Sequence, residues 1–117
     1  MIIHKTAAFG TGPNVEVPNV ISFTKAELNI VLTTYGRMVA AGEWHDYGIS
    51  HLSYAAVFSV FRHSADLPLY RIEKQPRLRR QNSLYRIVGL DGRIYRRGNN
   101  LRQVMAHFEV RLLRIVA

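Results

Sequence analysis

The chain has 117 residues, of which 48% are hydrophobic and 21% charged, and these values are ordinary for one globular domain. It contains no cysteine, which excludes disulfides, thiolate nucleophiles and metal sites built on cysteine. The net charge is +8, and thirteen of the sixteen cationic residues are arginine, whose forked guanidinium pairs with phosphates and carboxylates. This composition favours recognition of an acidic partner.

The first twenty residues contain Gly10, Gly12, Pro13 and Pro18 and show no sustained hydrophobic period. We therefore expect a flexible N-terminal arm at 1–20 and a single α+β domain at 21–117. The chain does not begin with a charged head and a long apolar run, and no window approaches the ~20 apolar residues of a membrane span. We expect no signal peptide, no membrane contact and a cytoplasmic location.

A helix is predicted over 24–41. Thr24 and Glu27 have the spacing of a capping box, in which each side chain accepts a hydrogen bond from the other residue's backbone N–H. Gly42 suits the C-terminal end of this helix. Its predicted buried face recurs at helical spacing and comprises Leu28, Val31, Leu32, Tyr35, Met38 and Val39.

Runs typical of β-strands follow this helix, because they are rich in Val, Ile, Phe and Tyr with polar residues between them. The Asp91-Gly92 pair is a strong hairpin signal before the last of these runs. Gly98, Asn99 and Asn100 then interrupt the pattern and precede a second helix. The predicted strands lie at 46–52, 56–63, 69–74, 84–88 and 93–97, and the buried stripe of the second helix comprises Leu101, Val104, Met105, Phe108 and Leu112.

This order predicts an α+β fold: an antiparallel four- to five-stranded meander with an N-terminal and a C-terminal helix packed on one face. The string Leu-Tyr-Arg-Ile occurs at 69–72 and again at 84–87. Since side chains alternate along a strand, Tyr70 and Tyr85 should share a face with isoleucines and enter the core. Arg71 and Arg86 should stand on the uncovered face. The phase of the last strand stays open between Ile94 with Arg96 and Arg93 with Tyr95 and Arg97.

Ten cations and only three anions lie between residues 62 and 97, so this stretch carries seven of the eight net positive charges. We predict a small basic binding or regulatory module, and nucleic-acid binding through an arginine-rich sheet and loop surface is the first hypothesis. The alternative is a protein-interaction adaptor, or a homodimer, that recognises an acidic protein surface. The predicted contact residues are Arg71, Arg77, Arg79, Arg80, Arg86, Arg93 and Arg96.

A third hypothesis is a small metal-dependent or histidine-based enzyme built on His45, His51 and His63, with Asp46 and Asp66 nearby in sequence. Their spacing matches no metal motif, and no serine lies in a G-x-S-x-G elbow. We therefore predict no catalytic residue, no metal and no cofactor. Trp44 is expected to close the edge of the core, although an exposed tryptophan there would suit a partner contact.

Three strings carry a resemblance to a known family: YGRMVAAGEWHDY at 35–47, AVFSVFRH at 56–63 and PLYRIEKQP at 68–76. Together they resemble a family of short, uncharacterised alphaproteobacterial proteins that is known only as a domain of unknown function. The resemblance runs from about Ile21 to Leu112, and the arm before Asn19 lies outside it. It implies a bacterial cytoplasmic protein with one compact domain, and it implies no activity, catalytic residue or cofactor.

Overall fold

The computed structural model describes residues 19–63 and 66–116, apart from the side chains of 115 and 116. Nearly all of the predicted arm at 1–20 lies outside these residues. The described chain forms two α-helices, five strands and one 3₁₀ helix. In chain order they are α1 (Lys25–Ala40), β1 (Asp46–His51), β2 (Ala56–Phe61), β3 (Tyr70–Lys74), the 3₁₀ helix (Pro76–Gln81), β4 (Tyr85–Gly89), β5 (Ile94–Gly98) and α2 (Leu101–Val116).

The predicted capping box begins α1. The backbone N–H of Glu27 donates to Thr24 Oγ1 at 3.1 Å, and the backbone N–H of Thr24 donates to Glu27 Oε1 at 2.7 Å. Two of the N–H groups that a helix leaves unpaired at its start are thereby satisfied. The helix ends before Gly42, whose φ of 77° lies in the left-handed region that glycine tolerates.

The five strands form one antiparallel sheet in the order β1-β2-β3-β4-β5, which confirms the predicted meander. Phe58, Ile72 and Ile87 are direct neighbours across β2, β3 and β4. Each has 0% of its surface exposed, so this row forms the centre of the buried face. Directly opposed residues in an antiparallel ladder point to the same side, and side chains alternate along each strand. This row therefore shows which further residues of the sheet face the core.

Both helices pack on that same face. Tyr35 of α1 contacts the ring of Phe58, and Phe108 of α2 packs edge-on against Tyr70 with ring centroids 5.1 Å apart. The predicted stripe of α2 is buried throughout: Leu101, Val104, Met105, Phe108 and Leu112. The predicted face of α1 is only partly right, because Leu32 and Val39 are exposed. No helix in the described part of the chain combines the length and apolarity needed to cross a bilayer.

Trp44 lies between α1 and the sheet and is only 1% exposed. Its ring packs edge-on against Phe108 at 4.9 Å and contacts Tyr35 and Tyr70. It therefore closes the core, as expected, and is not available as an anchor for a partner. Tyr70 and Tyr85 also face the core, as the Leu-Tyr-Arg-Ile alternation predicted.

Candidate functional site

Arg71 and Arg86 stand on the second face of the sheet, as predicted, but both are held by one carboxylate. Arg86 Nη2 donates to Glu73 Oε1 at 2.9 Å, and Arg71 Nε lies 3.3 Å from Glu73 Oε2. Gln75 Nε2 also donates to Oε1 at 2.9 Å, and Glu73 is only 8% exposed. The face therefore carries a compact ion cluster, and the open cationic surface that the sequence suggested is not formed there.

A bulge in the last ladder decides where the β5 arginines point. Ile87 pairs with Arg96, whereas its neighbour Val88 pairs with Ile94, so Tyr95 is an extra residue in β5. Arg96 therefore shares the helix-covered side with Ile87, which corrects its prediction as a sheet-surface contact. Neither of the two phases considered for this strand holds along its whole length.

Arg97 pairs with Arg86 and so belongs to the second face. It was not among the predicted contact residues. Strand alternation alone could not identify it, because the bulge shifts the phase by one residue within β5.

Arg93 lies in the turn between β4 and β5, with its guanidinium 5.7 Å from the centroid of Tyr95. Its backbone N–H donates to Asp91 Oδ1 at 3.0 Å, and this hydrogen bond is the main cause that lowers the pKa of Asp91. The 3₁₀ helix lies at the opposite end of the strands, where β3 ends and β4 begins. Arg93 is thus separated from the arginines of the 3₁₀ helix by the length of the strands, whereas the sequence predicted that they share one surface.

The remaining predicted arginines, together with Arg97, lie at one end of the sheet, which we call the basic end. It comprises the loop at 52–55, the 3₁₀ helix, and the end of β5 with its junction to α2 at 96–100. Here β1, β3 and β5 end while β2 and β4 begin. Its exposed arginines are Arg77, Arg79, Arg80, Arg96 and Arg97. None of these five guanidiniums forms an ion pair with a carboxylate of the described chain.

The two carboxylates nearest the basic end are already paired. Glu73 is held as described above, and Glu27 accepts hydrogen bonds from Lys74 Nζ at 2.8 Å and from the Tyr85 hydroxyl. Burial by itself raises the pKa of Glu27, but the hydrogen bonds from Lys74, Tyr85 and Thr24 outweigh it, so the pKa is lowered. Burial and the bond to Glu27 raise the pKa of Tyr85. These groups are therefore fixed in the fold and do not screen the exposed arginines by direct contact.

Most other acidic residues of the described chain lie at the opposite end of the sheet, which we call the acidic end. Glu43 follows α1, Asp46 begins β1, Asp66 precedes β3 and Asp91 lies in the β4–β5 turn. Glu109, on α2, pairs with Arg37 of α1. Most of the carboxylates thus lie far from the basic end along the strand direction, which the sequence count for 62–97 did not reveal.

A polar groove of about 280 Å³ lies within the basic end, between the end of β5 and the start of α2. Asn99 lines this groove and links it to two other segments. Its Nδ2 donates to the Arg79 carbonyl at 2.9 Å, and its Oδ1 accepts from the Leu84 N–H at 3.1 Å. The 3₁₀ helix is thereby tied to the β5–α2 junction, which holds the arginines of both segments in one rim. The groove is lined by Asn82, Arg96, Arg97, Gly98, Asn99, Asn100, Gln103 and Val104.

Tyr54 is an exposed aromatic side chain at the basic end. It lies in the 52–55 loop, is 50% exposed, and has the Arg77 guanidinium 5.5 Å from its ring centroid. Sequence reasoning missed it because a single tyrosine in a short loop belongs to no periodic pattern. Its contact with Arg77 joins two loops that are distant in sequence, and only the folded sheet brings them together.

The histidines of the third hypothesis do not form one site. The rings of His45 and His63 stack at 5.9 Å near the acidic end, whereas His51 is the last residue of β1, at the other end of that strand. No group of three histidine, aspartate or glutamate side chains is arranged to hold a metal ion among the residues described. The proposed trio of His45, His51 and His63 is therefore wrong as a common centre.

The acidic end has a depression of its own, of about 350 Å³, with Trp44, Tyr70 and Tyr95 among its aromatic lining. Arg62 and Arg111 contribute positive charge there. Arg111 lies 4.0 Å from the Glu43 carboxylate, so part of this charge is balanced within the fold. This depression therefore has mixed charge, in contrast to the uniformly cationic basic end.

Comparison with family models matches residues 21–105 to the family described as "Protein of unknown function (DUF2794)". Comparison with curated proteins and with solved structures gives no match. The match agrees with the resemblance in its coverage and in the lack of an assigned activity. The alphaproteobacterial origin stays a prediction.

Proposed function

Since the chain belongs to the DUF2794 family, which is described as having no known function, we propose a function from its geometry: it binds nucleic acid through the basic end of the sheet. The observation that carries this proposal is the gathering of five exposed arginines without a carboxylate partner in the described chain, namely Arg77, Arg79, Arg80, Arg96 and Arg97. Surface arginines with free guanidiniums are the groups that contact phosphates.

The physical basis is the release of condensed counterions. Each phosphate neutralised by an arginine returns a counterion to solution, so the logarithm of affinity falls with the logarithm of salt concentration by about 0.7 to 0.9 per contact. Arginines already paired with a carboxylate contribute less, because their binding to phosphate must first break an ion pair. Arg71 and Arg86 are therefore not among the main contacts, because Glu73 holds both.

The alternative is a contact with an acidic protein surface, including that of a second copy of this chain. The specific observation in its favour is the acidic end, where Asp46, Asp66 and Asp91 lie opposite the basic end. A head-to-tail contact would place one copy's basic end against another copy's acidic end. Such a contact would compete with nucleic acid for the same arginines.

The test is fluorescence anisotropy with labelled 20-nucleotide probes over a series of salt concentrations. We expect the Arg77→Ala/Arg79→Ala/Arg80→Ala variant to bind more weakly, with a salt slope reduced by about two to three. The matched control is Arg62→Ala/Arg93→Ala/Arg114→Ala, which removes the same charge away from the basic end and should retain most of the slope. Circular dichroism would verify that both variants are folded.

Equal weakening by the two triple variants would show that binding follows net charge and not the basic end. If no probe binds at low salt, the proposed function is wrong. Sedimentation of the wild-type chain over a range of concentrations and salt would then test the alternative, which predicts association that salt abolishes.

A further inference from the structure

We infer that the basic end binds single-stranded rather than duplex nucleic acid, and that the ring of Tyr54 stacks on an unpaired base. This inference deepens the proposed function and rests on it. The side chain of Tyr54 is half exposed and lies beside arginines that have no carboxylate partner in the described chain. Burial of a tyrosine ring usually contributes to the stability of the fold, so an exposed ring beside cations offers a surface that a ligand can cover.

The backbone holds Tyr54 in place. The N–H of Leu52 donates to the Ala55 carbonyl at 2.8 Å and closes the loop, while the Leu52 carbonyl accepts from the Ile21 N–H at 2.8 Å. The loop is thus tied to the segment before α1 as well as to β1 and β2. A ring carried on an anchored loop loses little conformational freedom on binding, which favours its use as a stacking surface.

Arg77 supplies the charge next to this surface. Its guanidinium lies 5.5 Å from the ring centroid of Tyr54, and the 3₁₀ helix that carries it also carries Arg79 and Arg80. Proteins that bind single strands combine aromatic platforms for bases with cations that follow the backbone. In this arrangement a base stacks on Tyr54 while the adjoining phosphates meet the arginines of the 3₁₀ helix.

A duplex offers no partner for this ring. Its bases are stacked on one another, and a side chain reaches their faces only by unstacking a step, at a cost of a few kcal/mol. The basic end is also formed mainly by short loops, a six-residue 3₁₀ helix and the first turn of α2. Phosphate contacts to a duplex would therefore leave Tyr54 unused.

The other described aromatic side chains do not serve this role at the basic end. Tyr85 is 7% exposed and its hydroxyl is bound by Glu27, and Tyr70 packs against Trp44 and Phe108. Tyr95 is exposed but contacts Tyr70 and lies toward the acidic end. The stacking position therefore falls on Tyr54.

The experiment compares wild type with Tyr54→Leu and Tyr54→Phe by fluorescence anisotropy, using 20-nucleotide oligo-dT, 20-nucleotide oligo-U and a 20-base-pair DNA duplex. We expect Tyr54→Leu to weaken binding of the single strands by about 5- to 150-fold, the effect of one lost stacking contact. Binding of the duplex and the salt slope should stay unchanged. Tyr54→Phe, which keeps the ring, should bind single strands within about twofold of wild type.

The outcomes separate this inference from the proposed function. Equal affinity for duplex and single strands overturns the preference for single strands. An unchanged single-strand affinity in Tyr54→Leu overturns the stacking role. Both outcomes leave phosphate binding by the basic end intact. Absence of binding to all three probes overturns both. The oligo-dT and oligo-U arms show whether the 2′-hydroxyl together with the thymine methyl matters, and preference for either probe supports the inference provided that Tyr54→Leu reduces it.

Discussion

The ring of Tyr95 occupies the space that a side chain at Gly89 would need. A Cβ atom on residue 89 would lie 2.3 Å from Cε2 of Tyr95 and 3.0 Å from Oδ1 of Asp91. The Tyr95 hydroxyl donates to Asp91 Oδ2 at 3.1 Å, which holds the ring in this position. The close approach follows from the bulge at Tyr95, which turns its side chain toward the helix-covered face.

Substitution of Gly89 by alanine should therefore lower stability by about 1–3 kcal/mol, the usual cost of overpacking. Urea denaturation measures the change. Gly36→Ala is the matched control: it lies in α1 with nothing within 4 Å of its added Cβ, and it should stabilise by up to about 1 kcal/mol. The Gly89→Ala/Tyr95→Ala double variant should cost less than the sum of the single changes. A Gly89→Ala variant as stable as wild type would show that the ring moves aside freely.

Substitution of Glu73 by glutamine should lower stability by about 2 kcal/mol, because Arg71 and Arg86 lose a buried charged acceptor. The figure stays modest because both arginines are partly exposed to water. Glu109→Gln removes the carboxylate partner of Arg37 from a more exposed ion pair and should cost less than about 1 kcal/mol. Chemical denaturation measures the loss of unfolding free energy in both variants. Equal losses would contradict a larger contribution from the Glu73 cluster.

Glu27 and Lys74 should show strong energetic coupling. Their side chains are 12% and 13% exposed and meet at 2.8 Å, so Lys74→Met leaves a nearly buried carboxylate without its cation and should cost about 3 kcal/mol. The Glu27→Gln/Lys74→Met double variant should recover part of this loss. A double-mutant cycle measured by denaturation gives the coupling energy, and additive single effects would refute it.

The same pair predicts a loss of stability in acid. The pKa of Glu27 is lowered in the fold, so its stabilisation is complete above its ordinary value of 4.5 and is lost as the pH falls through the folded value. Glu27→Gln should therefore reduce the dependence of unfolding free energy on pH below 4.5. Denaturation at a series of acid pH values measures this, and an unchanged slope in the variant would exclude Glu27 as its source.

His107 should add a second pH dependence near neutrality. Burial, then the charges of Arg111 on α2 and Arg96 on β5, lower its pKa from 6.5. The unfolded chain then binds a proton more readily, so this stability is present above pH 6.5 and is lost as the pH falls toward the folded value. His107→Gln should flatten the stability profile in this interval, and Arg96→Gln should flatten it partly. Thermal unfolding between pH 5 and 8 provides the measurement, and an unaltered profile in His107→Gln would disprove the assignment.

The parts of the fold that depend on near neighbours could be predicted from the sequence. The Thr24 and Glu27 capping box needs only residues three apart, and the Leu-Tyr-Arg-Ile alternation needs only the pleat of a strand. These local rules led to the helices, the meander and the orientation of Tyr70 and Tyr85 toward the core.

The position of each charge in space could not be predicted in this way. Whether Arg71 and Arg86 are free depends on the cross-strand neighbour Glu73, and the direction of Arg96 depends on a bulge with no distinct sequence signal. Arg77 reaches Tyr54 only because the β1–β2 loop and the 3₁₀ helix lie at the same end of the sheet.

The amino-acid sequence by itself determined the two α-helices, the five strands with their order and the excess of arginine, because propensity, capping and alternation act over a few residues. Only the tertiary structure decided which arginines are neutralised, which of them meet at the basic end and which ring stands beside them. Electrostatic and stacking interactions depend on distances through space, and strand register and loop position establish those distances after the chain has folded.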